Sequence, residues 1–346
     1  MKARLVWMAV VLCGLALAQR SVVAQADYPV TLDVVVTDKM DRPVVDLKPE
    51  EFKVLDNKEM RSITSVRMVN GEGDKPDPPV TAYLLVDMIN TPIETLSIEL
   101  KSIQSYLAQA GPRLPLPTAL VFLSETDLKW QSEPTRDPKV LLANLASNEV
   151  LRRSFQNQGG YQQLVQMRQK SLEALNGVTL KLNNVEGRKL VVWLSPGWAA
   201  FEHQTSQKSP AEFQALFDYI VGISSALRQA GVTIYSVNPV GAARDLGSSN
   251  ESYYKEFVKG VSSPKQTDNG DLGLQVIAAQ TGGNVLYGSN NIGKMIDQCL
   301  SDAQVFYEVT YSAAHARQGN EFHAVQVTVD KPGLKSRTRY GYYAQP

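Results

Sequence analysis

The spacing of apolar residues changes along the chain and divides it into regions. Between Tyr28 and Val69 apolar and polar residues alternate, as in the stretch Val30–Val36. A period of two is typical of strands that bury one face. We therefore predict a small β module over residues 27–70. A module of about 40 residues is too small to bury a good core alone, so it needs partner strands from elsewhere in the chain.

Residues 80–303 follow a different pattern, in which short apolar runs alternate with longer stretches of helical spacing. The runs predict buried strands, and the stretches between them predict helices that cover a sheet. Alternating strands and helices are typical of βαβ units, so we predict a doubly wound, mostly parallel α/β sheet. A linker rich in Gly, Pro and acidic residues precedes it over residues 71–79. The predicted strands are Ala82–Val86, Thr118–Leu123, Leu190–Leu194, Val232–Val237 and Asn284–Tyr287.

Residues 304–346 return to the alternating pattern, which predicts three further strands. These are Phe306–Tyr311, His323–Val329 and Ser336–Tyr343. We expect them to pack with residues 27–70, so that the α/β domain is inserted in or flanked by a small β-sandwich-like module. Two separate β units would each expose too much apolar surface. His315 and His323 are expected to be exposed in this region.

The first 26 residues have the pattern of a secretory signal peptide. Lys2 and Arg4 precede the apolar run Leu5–Leu17, and the small residues of Ala24–Ala26 fit a cleavage site. The apolar run is short for a membrane span of about 20 residues, and the cleavage site disfavours an uncleaved anchor. We expect an exported protein, either periplasmic, in the cell envelope or extracellular, with no membrane span in the mature chain.

Charge and cysteine content exclude several function classes. Once the signal's three basic residues are removed, 32 basic residues face 35 acidic ones, which gives no electrostatic footprint for nucleic acid. Cys13 leaves with the signal peptide, so no intramolecular disulfide remains possible. Cys299 falls on an apolar helical face, where a buried thiol is the usual state.

The stretch after the first α/β strand suggests a site. Asp87 ends that strand, and Asn90 and Thr91 follow it closely. Ser195 and Asn238 follow two later strands in the same way. In open α/β sheets ligands bind outside the carboxyl ends of the strands, so we expect these residues to line one cleft. Trp198 and Phe201 lie beside it, either as an exposed anchor for a partner or as packing of their own loop.

Several segments together resemble the von Willebrand factor A family, and more narrowly the exported A-related proteins of Acidobacteria. The segments are Val34–Asp38 (VVVTD), Asp46–Asp56, Asp87–Thr91 (DMINT), Gly187–Lys189 before a strand, Leu194–Gly197, Gly231–Val237 and Arg339–Tyr343 (RYGYY). The resemblance covers nearly the whole mature chain. It implies an A-type α/β fold and a binding role, and it implies no enzyme chemistry.

Members of this family place a divalent cation in an adhesion site built from Asp-x-Ser-x-Ser, a Thr and a further Asp. Asp87 matches the first Asp and Thr91 matches the second Ser, whereas Ile89 replaces the first Ser and cannot bind a metal. Ser154 is the nearest hydroxyl to the expected Thr position. Ser195 stands where the further Asp is usual. The resemblance therefore implies a degenerate site with one carboxylate.

Three interpretations of this degenerate site remain open. Asp87, Asn90, Thr91 and Ser195 can hold a weakly bound Mg²⁺ or Ca²⁺, although affinity rises with the number of charged ligands. Asp87 can instead cap the following helix through backbone N–H groups. The interpretation that we favour is a protein-binding surface without a metal, and no cofactor is firmly expected.

The sequence favours a non-enzymatic, adhesion-type binding module over an enzyme. No nucleophile elbow, HExxH motif or P-loop is present. The expected partner is an unidentified protein or a component of the cell envelope. The residues expected to contact it are Asp87, Asn90, Thr91, Ser195, Trp198, Phe201 and Asn238. The alternatives are a secreted hydrolase that uses His203 and Glu202, and a structural envelope protein with a vestigial site.

Overall fold

The structure, a computed structural model, describes residues 27–72, 77–148, 160–198, 201, 208–241 and 254–345. The predicted signal peptide lies outside these residues. The strands are β1 Tyr28–Thr37, β2 Phe52–Asp56, β3 Glu59–Arg61, β4 Ile63–Asn70, β5 Val80–Asp87, β6 Thr118–Leu123, β7 Leu128–Trp130, β8 Arg188–Leu194, β9 Val232–Val237, β10 Val285–Leu286, β11 Val305–Ala313, β12 Glu321–Val329, β13 Lys335–Arg337 and β14 Gly341–Ala344. The α-helices among the described residues are α1 Ile93–Gln109, α2 Pro138–Ser147, α3 Tyr161–Leu182, α4 Pro210–Gln229, α5 Leu274–Gln280 and α6 Ile292–Ser301.

A six-stranded, mostly parallel sheet forms the centre of the described chain. Its order is β10-β9-β8-β5-β6-β7, and only β7 runs antiparallel to its neighbour. Helices α1, α2 and α6 cover one face, and helices α3, α4 and α5 cover the other. Because both faces are covered, the central strands are apolar at almost every position. The predicted mixed α/β class with a mostly parallel sheet is confirmed.

Side chains cap the first turns of two helices. The Asp137 side chain accepts a hydrogen bond from the backbone N–H of Lys139 at 2.8 Å, at the start of α2. Ser209 and Glu212 form a reciprocal capping box at the start of α4. Such caps satisfy N–H groups that have no partner inside the helix, and they fix where each helix starts.

Strands from both ends of the chain form two four-stranded antiparallel sheets. The orders are β13-β1-β11-β4 and β14-β12-β2-β3. In the first sheet β1 pairs with β11, and in the second β2 pairs with β12. The inner faces share one apolar core, which includes Leu32, Val54, Val309 and Val327. Neither end of the chain supplies a complete sheet.

Some local predictions differ from the structure. Within the region predicted to be a β module, Val44–Leu47 carries apolar residues but forms no strand, because Asp46 adopts a left-handed backbone with φ of 60° that interrupts an extended run. The last strand of the central sheet is shorter than predicted. Short 3₁₀-helices lie within the described part of the polar stretch before α5, at Tyr254–Glu256, Pro264–Gln266 and Asn269–Leu272. Among the helices described, none combines the length and apolar content needed to cross a membrane.

Candidate functional site

The predicted site residues lie at the carboxyl ends of adjacent parallel strands. Asp87 is the last residue of β5, and Ser195 and Asn238 directly follow β8 and β9. The backbone N–H of Ser195 donates to the carbonyl of Val237 at 2.9 Å, which places the two strand ends side by side. The N–H of Asn238 donates to Leu286 at 2.8 Å in the neighbouring strand. The residues therefore share one edge of the sheet.

Asp87 is fully buried, and its carboxylate accepts five hydrogen bonds. Its Oδ1 accepts from the backbone N–H groups of Ile89 at 3.1 Å and Asn90 at 3.0 Å. Its Oδ2 accepts from Nδ2 of Asn90 at 2.9 Å. The indole N–H groups of Trp193 and Trp198 donate to the same Oδ2 at 3.0 Å and 3.3 Å. The carboxylate is thus used as the acceptor of an internal network.

Trp198 and Phe201 are packed residues and not exposed anchors. Each is only 2 % exposed. The rings of Trp193 and Trp198 meet edge to face with centroids 5.2 Å apart, and Phe201 lies 5.6 Å from Trp198. Such aromatic pairs contribute beyond simple area burial. Of the two roles that the sequence left open for this pair, packing of the loop is the one observed.

The remaining polar residues of the strand ends are also buried. Asn90 and Thr91 are 8 % and 5 % exposed, and Ser195 is fully enclosed. Asn90 also donates from Nδ2 to the Ser171 hydroxyl of α3 at 3.0 Å. Ser195 Oγ accepts from the N–H of Gly197 at 3.2 Å. Within the described residues, Asn90 Oδ1 and Thr91 Oγ1 have no hydrogen-bond partner.

The arrangement does not fit a hard divalent cation at Asp87. Mg²⁺ and Ca²⁺ require about six oxygen ligands, several of them charged. Both Asp87 oxygens face N–H donors, whose positive ends would point toward a bound cation. In the part of the chain that is described, no group of three or more His, Cys, Asp or Glu residues is placed to hold a metal.

A buried acid near this site was missed from the sequence. Glu99 of α1 is fully buried, and neither of its carboxylate oxygens has a hydrogen-bond partner among the described residues. Burial, and secondarily the charge of Asp87, raises the pKa of Glu99 well above its usual range. Its spacing from Leu96 and Ile103 places Glu99 on the apolar stripe of α1, and that signal was available in the sequence.

Of the two C-terminal histidines expected to be exposed, His323 is instead buried, with 3 % of its surface accessible. Its Nδ1 lies 2.9 Å from Oδ1 of Asp56, and the Tyr311 and Tyr342 hydroxyls donate to Oδ2 of the same carboxylate. Alternation along β12 turns His323 inward, and Asp56 of β2 compensates its burial. Cys299 is buried as predicted. His203, Glu202 and Ser154 lie outside the described residues, so the hydrolase alternative stays a prediction.

Comparison with solved structures finds several weak likenesses, of which three are as follows. The chain is 14% identical to a proximal thread matrix protein of the mussel byssus, with a TM-score of 0.34, and the match covers 70% of this chain and 49% of the mussel protein. It is 9% identical to a von Willebrand factor type A protein from Catenulispora acidiphila, with a TM-score of 0.34 and coverage of 93% and 75%. It is 12% identical to the manganese-loaded TRAP protein of Plasmodium vivax, with a TM-score of 0.30 and coverage of 81% and 99%.

These likenesses are too weak to assign a family or a function. The chain spans about half the length of the mussel protein. No protein-family model and no curated protein matches the sequence. The resemblance to the von Willebrand factor A family therefore stays an interpretation of the motifs.

Proposed function

We propose that this protein is an exported, non-enzymatic binding module that engages a protein or cell-envelope partner at the carboxyl-end edge of its parallel sheet, without a metal at Asp87. One observation carries the proposal: the Asp87 carboxylate accepts five internal hydrogen bonds and lies beneath Trp198. The residue that would hold a cation in an adhesion site instead fixes the loop and the two tryptophans. In this proposal the network holds the loop in place, and the partner contacts the exposed residues around it, which we call the rim.

The rim beside Asp87 offers suitable side chains. Pro92, Ile93 and Glu94 directly follow the buried turn, and all three are exposed. Ile93 exposes 49 % of its surface although it is large and apolar. Ligands of open α/β sheets bind at this edge, and partner surfaces tolerate such apolar contacts within a polar rim.

Affinity capture with two matched variants tests the binding surface. The mature chain is immobilised and incubated with solubilised native envelope, with Ile93→Asp as the test and Leu180→Asp as the control. Leu180 is also exposed, at 72 %, but it lies near the end of α3, at the opposite edge of the sheet. We expect Ile93→Asp to reduce partner recovery at least tenfold and Leu180→Asp to leave it unchanged. Equal recovery with both variants would contradict the proposed edge.

The metal is tested separately by calorimetry with Mg²⁺, Ca²⁺ and Mn²⁺. We expect no binding at millimolar concentrations, and we expect capture of the partner to persist in EDTA. Metal binding that Asp87→Asn abolishes would overturn the metal-free interpretation while leaving the edge in place. Export is checked by the mass of the protein recovered from its host, which we expect to begin at Asp27.

A further inference from the structure

One edge strand of the antiparallel sheets is much longer than the other edge strands. Among the described residues, six strands form the outer edges of the three sheets. Five of them, β3, β7, β10, β13 and β14, are two to four residues long, whereas β4 has eight residues. Proteins commonly prevent pairing with a foreign chain by keeping their edge strands short. β4 lacks that protection.

The outer edge of β4 presents a row of backbone groups without partners. The N–H of Gly71 donates to the carbonyl of Gln304 at 3.0 Å, and the preceding residues continue the antiparallel pairing of β4 with β11. In such a pair, alternate residues direct their N–H and C=O groups to the neighbouring strand. Those of Val66, Met68 and Asn70 therefore point away from β11, and no hydrogen bond joins these backbone groups to another described residue.

The free edge is regular over most of its length. The register between β4 and β11 shifts near Thr64, opposite the step from Thr310 to Tyr311, and bulges of this kind discourage further pairing. From Ser65 to Asn70 the pairing is regular. This stretch offers outward N–H and C=O groups at intervals of two residues, which is the spacing that another strand requires.

Apolar side chains border the free edge. Met68 lies opposite Tyr307, and Val66 lies opposite Val309. Both partners belong to the buried core between the antiparallel sheets, and paired residues share a face, so Met68 and Val66 lie at the margin of that core. Met68 nevertheless exposes 43 % of its surface, and Val66 is only partly buried. A strand added beside β4 would cover them with its own alternate side chains.

The charge on this edge is already compensated. Arg67, between Val66 and Met68, forms ion pairs with Glu308 and Asp77. Recognition at the β4 edge therefore depends on backbone hydrogen bonds and alternate apolar contacts, and not on an unpaired charge.

We propose that the outer edge of β4 pairs with an extended segment of a partner protein that carries apolar side chains at every second position. In this mode of recognition main-chain hydrogen bonds supply affinity, and alternate side chains supply specificity. The segment's apolar side chains would contact Met68 and Val66 and extend the core between the sheets. This surface is separate from the rim and does not depend on it, because β4 belongs to the antiparallel sheets and Ile93 to α1.

The size of the β4 edge favours a partner's segment over a second copy of the chain. Six residues of a strand extend about 20 Å, and a strip about 10 Å deep along them covers about 200 Å² on each side. Stable interfaces between folded proteins bury about 1,200 to 2,000 Å² in total. A second copy would need contacts beyond this edge, whereas an extended segment needs only the edge.

Peptide selection followed by hydrogen exchange tests the proposal. A library of displayed random nine-residue peptides is selected against the mature chain, and the enriched peptide of highest affinity is synthesised. We expect it to carry apolar residues at every second position. Its binding should slow amide exchange at Val66, Met68 and Asn70 and leave Arg67 and Val69 unchanged, because the latter two already pair with β11.

Two matched variants separate the β4 edge from other exposed apolar positions. Met68→Lys places a charge on the free edge, and Met60→Lys makes the same change at a residue that is 61 % exposed on the short strand β3. We expect Met68→Lys to weaken binding of the peptide at least tenfold, and Met60→Lys to leave it unchanged. Ile93→Asp should also leave it unchanged, so failure of the rim and failure of the β4 edge are distinguishable.

Modified peptides supply a test that requires no change in the protein. N-methylation of alternate backbone nitrogens removes either the donors that face β4 or the donors that face away, and we expect only one of the two sets to abolish binding. Equal effects of the two sets would overturn the proposal, as would a selection that enriches no peptide or slowed exchange only outside β4. Sedimentation of the free protein examines the second copy. Self-association that Met68→Lys removes would overturn the assignment to a partner's segment.

Discussion

The environment of Asp87 shows how a single carboxylate can organise a loop. Two backbone N–H groups and three side-chain N–H groups converge on it. A carboxylate offers about four lone-pair directions, so these five donors use its full accepting capacity. Charge-assisted hydrogen bonds are stronger than neutral ones, which explains why a buried charge is tolerated at the end of the central strand.

Asp87→Asn should therefore destabilise the fold although it preserves shape. An amide presents one neutral oxygen and one NH₂ group, so all five N–H donors lose their charged acceptor and at least two of them face another donor. We expect a loss of about 2 to 4 kcal/mol in the free energy of unfolding, measured by denaturant titration. Asp127→Asn, at an exposed position of the same edge, should cost under about 1 kcal/mol. Equal losses for the two variants would show that the network is weak.

Asp271 is a further buried acid, and it makes stability depend on pH. Burial is the largest cause that raises its pKa to about 7. Asp271 in the folded protein then retains its proton at pH values where the unfolded chain has lost it. The contribution of this group to stability is present below about pH 4 and is lost as the pH rises to about 7.

Asp271→Asn should remove that dependence. We expect the variant and the wild type to be similar in stability near pH 4, and the variant to become more stable by about 2 to 4 kcal/mol at pH 8. Denaturant unfolding at intervals between pH 4 and pH 8 measures the difference. A difference that stays constant over this range would contradict the raised pKa. Asp330→Asn, at an exposed position, serves as the control.

At the scale of elements, the stretch Val44–Leu47 shows why an apolar segment within the predicted β module forms no strand. Contact with β1 ends at the N–H of Val44, which donates to the carbonyl of Val36 at 2.9 Å, and a side chain satisfies two further backbone groups. The hydroxyl of Tyr307 on β11 accepts from the N–H of Leu47 at 3.1 Å and donates to the carbonyl of Val44 at 3.0 Å. A tyrosine about 260 residues away thus replaces a strand partner, and no local pattern reveals that contact.

Tyr307→Phe tests this role. The change keeps the ring but leaves a buried N–H and a carbonyl without their partner, which should cost about 1 to 3 kcal/mol of stability. Hydrogen exchange of the Leu47 amide should become faster in the variant. Tyr340→Phe, on an exposed side chain of the same region, should change neither quantity. An unchanged Leu47 exchange rate would show that another group satisfies this segment.

The predictable part of the molecule follows from periodicity. Continuous apolar runs and stretches of helical spacing were sufficient to predict the central sheet and the helices that cover it, because burial on both faces leaves a local pattern. The closure of the site by Trp198, the inward turn of His323 and the isolation of Glu99 depend on contacts between distant segments. Sequence distance hides the partners in these contacts, although the spacing of Glu99 on α1 and the alternation along β12 are local signals that these two residues are buried.

At the scale of the whole molecule, the α/β domain is inserted between strands that belong together. The N–H of Gly71 donates to the carbonyl of Gln304 at 3.0 Å, so the two ends of the insertion are adjacent. Arg337 of the antiparallel sheets also pairs with Asp302 at the end of the insertion. An unfolded insertion would separate β4 from β11 by more than 200 residues, and the antiparallel sheets would then have to close a long loop.

The two parts should accordingly unfold together. Leu84→Ala removes buried volume at the centre of β5 and should cost about 2 to 5 kcal/mol. Tryptophan fluorescence follows the α/β domain, because Trp130, Trp193 and Trp198 all lie there, and hydrogen exchange of β1 and β11 amides follows the antiparallel sheets. We expect Leu84→Ala to lower the free energy of unfolding by the same amount in both measurements. Leu180→Ala, at the exposed control position, should leave both values unchanged. If the β1 and β11 amides kept their wild-type protection, the sheets would be stable without the insertion. The antiparallel sheets would then bring Gly71 and Gln304 together as they fold, and their folding would not require the folded insertion.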